Sequence, residues 1–136
     1  MASIFTKIIN GEIPSYKIAE DDHYFEFLDI NPLKRGHTLV IPKKEVDYLF
    51  DLDDETLSGL MTFSKKVARA VDQSVQCKRV GVVVLGMEVP HAHIHLIPLD
   101  HEGDASFTNP KLKLTEEEFR GIAEKIRAVF EENQNS

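Results

Sequence analysis

Three histidines alternate with apolar residues in the segment Pro90-His91-Ala92-His93-Ile94-His95-Leu96-Ile97-Pro98. Strict alternation is typical of a β-strand with one buried face, because successive side chains of a strand point to opposite faces. The pattern therefore predicts a strand over residues 90–98 with the three imidazoles in one row. Same-face neighbours on a strand lie about 6.5–7 Å apart, which is close enough for them to act on one substrate.

A row of imidazoles suits two chemistries. A neutral imidazole can attack phosphorus or an acyl carbon while its neighbours hold the proton and the oxyanion. Alternatively, two or three histidines on one face can bind a metal ion. A third interpretation, a polar strand face or a few satisfied core histidines, fits a lone histidine better than three in strict alternation.

Three helices are predicted to support this strand. Apolar residues at helical spacing follow Ser3, a suitable N-cap, and the short helix that they form ends at Asn10-Gly11. A capping box at residues 115–118 begins a C-terminal amphipathic helix that runs to about Glu132. Residues 53–73 carry the clearest apolar stripe, which we interpret as core. That stripe comprises Leu57, Leu60, Met61, Val67, Ala68 and Val71.

Further strands are predicted from alternation and β-branched runs. Residues 16–20 and 23–28 flank Asp21-Asp22 and predict a β-hairpin. Residues 37–41 form another strand, which ends at Pro42. The apolar run 80–85 predicts a buried strand beside the histidine strand. Short connections between strands favour an antiparallel sheet with helices packed against it, an α+β fold.

The length, charge and composition of the chain argue against several classes of protein. A chain of 136 residues predicts a single domain over residues 1–136. The formal net charge of −7 argues against a nucleic-acid polymer as partner, although a local pocket can still bind a small anion. One cysteine, Cys77, provides neither a disulfide framework nor a cysteine-rich zinc site. Without a signal-peptide core or an apolar run of about 20 residues, we expect a cytoplasmic protein with no membrane partner.

The segment from His91 to Ile97 resembles the His-x-His-x-His-apolar-apolar signature of the histidine triad (HIT) superfamily, Hint-like branch. Residues 3–14 resemble the amino-terminal helix and turn of that family, and residues 27–32 and 36–43 resemble its nucleotide-binding strands. The resemblance covers about residues 3–98. It implies a HIT-like sheet of about five antiparallel strands with a long helix and a C-terminal helix packed on it, assembled as a homodimer.

The resemblance also implies a phosphoryl-transfer role for four histidines. His93 would attack the α-phosphate of a purine nucleoside monophosphate derivative and form a covalent nucleotidyl-histidine intermediate. His95 would donate a hydrogen bond to a phosphoryl oxygen, and His91 would orient His93 through its backbone carbonyl. His37 would support the cluster from a different strand.

The nucleoside half of such a substrate maps onto the first part of the chain. Asp29 resembles the family's acceptor for the ribose hydroxyls, although an Asp before Asn31-Pro32 is also a common turn residue. Four apolar residues resemble the walls around the base, a role compatible with membership of the core: Phe5, Ile8, Phe27 and Ile30.

Two departures from the family pattern affect the expected chemistry. Family members often carry a Cys-x-x-Cys zinc half-site near the first helix, where this chain has Ser3 and Thr6, so we expect no structural zinc and no cofactor. Before the triad, Hint-like proteins use a hydroxyl or an amide to assist the leaving group. Here that loop is short, and Glu88 stands where a serine is expected.

Three functional hypotheses follow. The first is a nucleotide hydrolase or nucleotidyl transferase that acts on purine nucleoside phosphoramidates. The second is a nucleotide-binding or scaffold protein with little turnover, which the short loop and Glu88 favour. The third is a metal-dependent hydrolase that uses His91, His93 and His95. The sequence does not indicate which base or which leaving group a substrate would carry.

Overall fold

Five antiparallel strands form one sheet in the order β1-β2-β3-β5-β4 in the computed structural model, which describes residues 2–135. The strands are β1 (Lys17–Glu20), β2 (Tyr24–Leu28), β3 (Thr38–Pro42), β4 (Arg79–Val83) and β5 (Ile94–Leu99). The helices are α1 (Ile4–Ile9), α2 (Asp54–Ser74) and α3 (Glu116–Gln134), with short 3-10 turns at Leu49–Asp51 and Glu102–Ala105. The predicted α+β sheet with a long and a C-terminal helix is confirmed.

The helices begin where the sequence supplies N-caps. Ser3 accepts a hydrogen bond from the backbone N–H of Thr6, and Asp53 accepts one from Thr56 at the start of α2. Thr115 and Glu118 form the predicted capping box of α3. Each cap satisfies backbone N–H groups that have no partner within the helix.

Two apolar layers cover the two faces of the sheet. Helices α2 and α3 pack on one face, against alternate strand residues that include Val40, Ile94 and Leu96. Helix α1 covers part of the other face, where Phe5 packs with Phe27 and other residues of β2 and β3. The face opposite the long helices is therefore the face on which a site can form.

The stripe of α2 differs from the prediction at one position. Leu60, Val67 and Val71 are buried as expected, but the Met61 side chain is 48% exposed. Phe63, which lies two residues further along the helix, is buried instead. The packed stripe is rotated slightly from the predicted one, because the sheet contacts α2 on the side that carries Phe63.

The histidine strand is shorter than predicted. It begins at Ile94 instead of residue 90, because the preceding backbone is used by local and loop contacts. The His91 N–H donates to the Val89 carbonyl at 2.8 Å, and the Ala92 N–H donates to the Val46 carbonyl at 2.7 Å. The alternation nevertheless holds, since Ala92, Ile94 and Leu96 all enter the core beneath α2 and α3.

The run at residues 80–85 forms an edge strand, so the prediction of a buried strand is wrong. Strand β4 pairs with β5 alone in the described sheet, with Val82 opposite Leu96. Val82 is 51% exposed and Leu85, just beyond the strand, is 54% exposed. Apolar composition alone does not distinguish a central strand from an edge strand.

None of the helices within residues 2–135 combines the length with the apolar character that crossing a bilayer requires.

Candidate functional site

A cavity of about 380 Å³ opens on the α1 face of the sheet, beside the end of β5. Its walls come from α1, the segment after β2, and two loops at residues 85–89 and 107–111. His93 and His95 line it. So do the five residues predicted for nucleotide binding: Phe5, Ile8, Phe27, Asp29 and Ile30. His91 and His37 are almost fully buried behind His93 and His95, respectively.

The orientation of His93 is fixed by the backbone of the triad itself. Its Nδ1 lies 2.7 Å from the carbonyl oxygen of His91, which can only accept, so Nδ1 carries the proton. The Nε2 atom therefore has a free lone pair. The Phe5 ring lies edge-on to the imidazole, with centroids 5.1 Å apart, and restricts its rotation. The free lone pair on His93 Nε2 is what nucleophilic attack requires.

A second chain of hydrogen bonds fixes His95 from strand β3. The Leu33 N–H donates to His37 Nδ1 at 3.0 Å, so the proton of neutral His37 is on Nε2. That atom lies 3.0 Å from His95 Nδ1 and donates to it. The remaining proton of His95 is consequently on Nε2. The Phe107 ring packs edge-on against His95, with centroids 4.8 Å apart. His95 thus offers a hydrogen-bond donor beside the lone pair of His93.

Burial keeps these supporting imidazoles neutral. Loss of hydration lowers the pKa of His37 to about 3 and that of His95 to about 4. Burial also lowers the pKa of His91, an effect that the Pro42 carbonyl and the Glu45 carboxylate oppose. At neutral pH the site therefore presents oriented dipoles, with little positive charge from these three histidines.

His91 is held away from the cavity by the amino-terminal helix. Its Nε2 donates to the Pro42 carbonyl at 2.8 Å, and its Nδ1 lies 2.8 Å from the Ser3 hydroxyl, which donates to it. Glu45 accepts from the Ser3 backbone N–H and from the Thr6 hydroxyl, each at 2.6 Å. Those two donors lower the pKa of Glu45 to about 2. This network joins α1 to the segment that carries His93.

Asp29 uses its two carboxylate oxygens differently. Oδ1 accepts from the Asn31 backbone N–H at 2.8 Å, which is the turn contact that the sequence suggested. Oδ2 lies 3.5 Å from His37 Nε2, and the residue also lines the cavity. Burial raises the pKa of Asp29, although the Asn31 N–H partly offsets this. Both interpretations of Asp29 are therefore compatible with its geometry.

The side chains that lie close enough to share a metal ion are not the three histidines that the sequence suggested. Both ring nitrogens of His91 are bonded to Ser3 and Pro42, so His91 does not share a site with His93 and His95. Among residues 2–135, the three ligand atoms close enough to share an ion come from Asp29, His37 and His95. However, Leu33 fixes the proton of His37 on the nitrogen that would have to bind the ion. This arrangement disfavours coordination.

Several residues that line the cavity were not predicted from the sequence. Leu39 enters it from β3, where it pairs with His95, and alternation could have placed it there. Phe107 and Lys111 lie in a polar loop without periodicity, so no sequence signal indicated them. Leu85 and Met87 also line the cavity, together with Glu88.

The chain is similar to known proteins in both sequence and fold. A family model described as "HIT domain" matches residues 10–102. The chain is 41% identical over 98 residues to adenosine 5'-monophosphoramidase HNT1 of Saccharomyces cerevisiae, covering 71% of this chain and 62% of that protein. It is 33% identical over 128 residues to adenosine 5'-monophosphoramidase hnt1 of Schizosaccharomyces pombe, covering 93% and 96%. A zinc-bound histidine triad family protein from Mycobacterium smegmatis superposes with a TM-score of 0.81 at 29% identity, covering 99% and 97%.

The residues near α1 do not fit a structural zinc of the kind that the family resemblance implies. Zinc in such sites prefers thiolate and imidazole ligands, whereas Ser3 and Thr6 offer neutral hydroxyls. The Ser3 hydroxyl donates to His91 Nδ1, the atom whose lone pair a metal would need. The Thr6 hydroxyl donates to Glu45. The four side chains satisfy one another through hydrogen bonds, and these bonds tie α1 to the triad.

Proposed function

The chain belongs to the HIT domain family, and on that premise we propose that it hydrolyses purine nucleoside 5'-phosphoramidates at the α-phosphate. The observation that carries the proposal is the pairing of His93 Nε2, with its free lone pair, and the Nε2–H of His95 at one end of an apolar cavity. The phosphoramidase names of the two yeast relatives support the same class of substrate.

The proposed reaction has two steps. His93 Nε2 attacks phosphorus, and the bond between phosphorus and the leaving nitrogen breaks with its electron pair on the nitrogen, which takes up a proton from solvent water. The Nε2–H of His95 donates to a phosphoryl oxygen as charge develops there. Water then attacks phosphorus, which releases the nucleoside monophosphate and restores His93. The His91 carbonyl holds the Nδ1 proton of His93 throughout, because it is placed to accept from it.

The nucleoside half of the substrate is assigned to the α1 side of the cavity. Phe5, Ile8, Phe27 and Ile30 would form the apolar walls around the base. Asp29 would accept hydrogen bonds from the ribose hydroxyls with Oδ2, since Oδ1 is already bonded within its turn. A partly buried carboxylate of this kind discriminates against a sugar that lacks those hydroxyls, because it would be left without their hydrogen bonds.

A second candidate function is nucleotide binding with little turnover. Glu88 lines the cavity and is exposed, and its negative charge raises the pKa of Asp29. A carboxylate on the leaving-group side repels a phosphoryl group and provides no neutral hydroxyl or amide to assist departure. Glu88→Ser would then increase turnover and would also tighten the binding of adenosine monophosphate, because it removes that repulsion.

Rapid-quench mass spectrometry tests the enzyme proposal. The protein is mixed with adenosine 5'-phosphoramidate, and the intact mass is read for an added nucleoside monophosphate. We expect the adduct with the wild type and not with His93→Ala, whereas His23→Ala, at an exposed turn, serves as the matched control and should keep it. An adduct that persists in His93→Ala would contradict the assigned nucleophile. Tight binding of adenosine monophosphate without any turnover would favour the second candidate.

The partner proposed for assembly is a second copy of the chain, joined at β4. The other edge of the described sheet, β1, is covered by α3, where the Arg127 guanidinium donates to the Lys17 carbonyl at 2.6 Å. Within residues 2–135, β4 pairs with β5 alone, and Val82 on the strand and Leu85 just beyond it are exposed. An uncovered apolar edge strand is a surface suited to pairing with another chain. Pairing there would extend the sheet across two copies.

A further inference from the structure

The side chains around the proposed phosphate site carry more negative than positive charge. His37 and His95 are neutral at pH 7 because burial lowers the pKa of each. Asp29 and Glu88 add carboxylates to the lining. A phosphorylated substrate is an anion, so these groups alone would oppose its binding electrostatically. Among the described residues that line the cavity, Lys111 is the one lysine or arginine.

Lys111 belongs to a loop that is anchored on the histidines. The loop carries Phe107, whose ring lies edge-on to His95 at 4.8 Å and to His37 at 6.0 Å, measured between centroids. The Lys111 ammonium donates to the Phe107 carbonyl at 2.6 Å and to the Asn109 carbonyl at 3.2 Å, and it lies 5.8 Å from the Phe107 ring centroid. These contacts hold the cation on the same side of the cavity as His95.

The field of Lys111 reaches the site. Its positive charge favours the ionised form of Asp29 and disfavours protonation of His37, so it lowers the pKa of both groups. Two of the three ammonium hydrogens have carbonyl acceptors, which leaves one hydrogen for another acceptor. Lys111 is an exposed residue, but its two bonds to the loop carbonyls direct the ammonium along the loop instead of into bulk water.

We propose that Lys111 forms a phosphate-binding subsite, in which its free N–H and its charge hold an anionic oxygen of the bound nucleotide against His95. This proposal rests on the nucleotide site proposed above. It adds a substrate contact from the loop after the triad, and it predicts that the protein distinguishes a nucleotide from its nucleoside chiefly through Lys111. The ring of Phe107 acts as the positioning group, because it fixes the loop on the imidazole that shares the phosphate.

Calorimetric titration with adenosine and adenosine monophosphate tests the subsite, because the two ligands differ only in the phosphate. We expect Lys111→Met to weaken binding of the monophosphate about five- to tenfold, the effect of one charge-assisted contact made by an exposed side chain, and to leave adenosine binding unchanged within about twofold. Lys113→Met is the matched control. It removes an exposed lysine two residues away that does not line the cavity, and should behave as the wild type.

Lys111→Arg separates charge from local structure. It keeps the cation, so most of the preference for the monophosphate should remain, with the same decrease at higher salt as in the wild type. Equal loss of adenosine and monophosphate binding in Lys111→Met would show a structural role and overturn the subsite. So would monophosphate binding that matches the wild type. If the wild type bound neither ligand, the nucleotide site itself would be wrong and the subsite with it, which distinguishes the two failures.

Discussion

A buried carboxyl in the sheet gives the sharpest test of the energetics of this fold. Glu26 lies in the middle of β2, paired with Ala19 on one side and Val40 on the other, and its side chain is completely buried. Neither carboxylate oxygen has a hydrogen-bond partner among residues 2–135. Burial therefore raises the pKa of Glu26 well above its usual value, so the folded protein keeps this proton over a pH range in which the unfolded chain has already released it.

The sign of the pH effect follows from proton binding. Above the ordinary glutamate pKa of about 4.3, the unfolded chain releases the proton while the folded chain keeps it. Stability is therefore lost as the pH rises from that value towards the raised pKa of the folded state, by about 1.4 kcal/mol per pH unit.

Glu26→Gln removes the titration while keeping the shape of the side chain. Urea unfolding of the wild type and the variant at pH 5, 6 and 7 should show the variant gaining stability relative to the wild type as the pH rises, by up to about 1.4 kcal/mol per pH unit while the pH stays below the raised pKa of Glu26. The comparison cancels the titration of the buried histidines, which both proteins share. Glu12→Gln, at an exposed position, should give a pH-independent difference. Parallel stability curves for the wild type and Glu26→Gln would refute the reasoning.

Three further predictions concern the site and the open edge. Ser3→Ala removes the helix cap and leaves His91 Nδ1 without its donor, so we expect a loss of about 2 kcal/mol in urea unfolding and slower phosphoramidate turnover, with Ser3→Thr retaining both. His37 and His95 should show the neutral Nε2–H pattern in nitrogen-15 correlation spectra down to about pH 5, because burial lowers both pKa values; an Nδ1–H pattern would contradict the assigned hydrogen bonds. Val82→Glu should shift a β4-paired dimer to monomer in sedimentation, with Met61→Glu, on an exposed position of α2, as the control.

The sequence by itself determined the architecture of the supporting elements. Caps at Ser3, Asp53 and Thr115 begin the three helices where they were predicted. The alternation around the triad correctly assigned Ala92, Ile94 and Leu96 to the core. These features are encoded locally, because the periods of a helix and a strand and the chemistry of a cap depend on residues only a few positions apart.

The local sequence pattern gave wrong predictions where the burial or pairing of a residue depends on a distant part of the chain. The apolar run containing Val82 predicts a buried strand equally well at the centre or at the edge of a sheet, and strand order decides which it is. Met61 fits the helical stripe, yet a small rotation of α2 on the sheet leaves it exposed and buries Phe63. The strand predicted over residues 90–98 begins only at Ile94, because the carbonyl of Val46, from a distant loop, accepts from the Ala92 N–H.

Only the tertiary structure decided how the histidines are protonated and what surrounds them. His37 and His95 are 58 residues apart, and Ser3 and His91 are 88 apart, yet each pair shares a hydrogen bond that fixes a tautomer. Lys111 reaches the cavity from a loop without periodicity. The residue types encode which chemistry is available, but the register of β3 against β5 and the docking of α1 set the distances and the burial. Those distances and that burial determine which nitrogen carries a lone pair and which carries a proton.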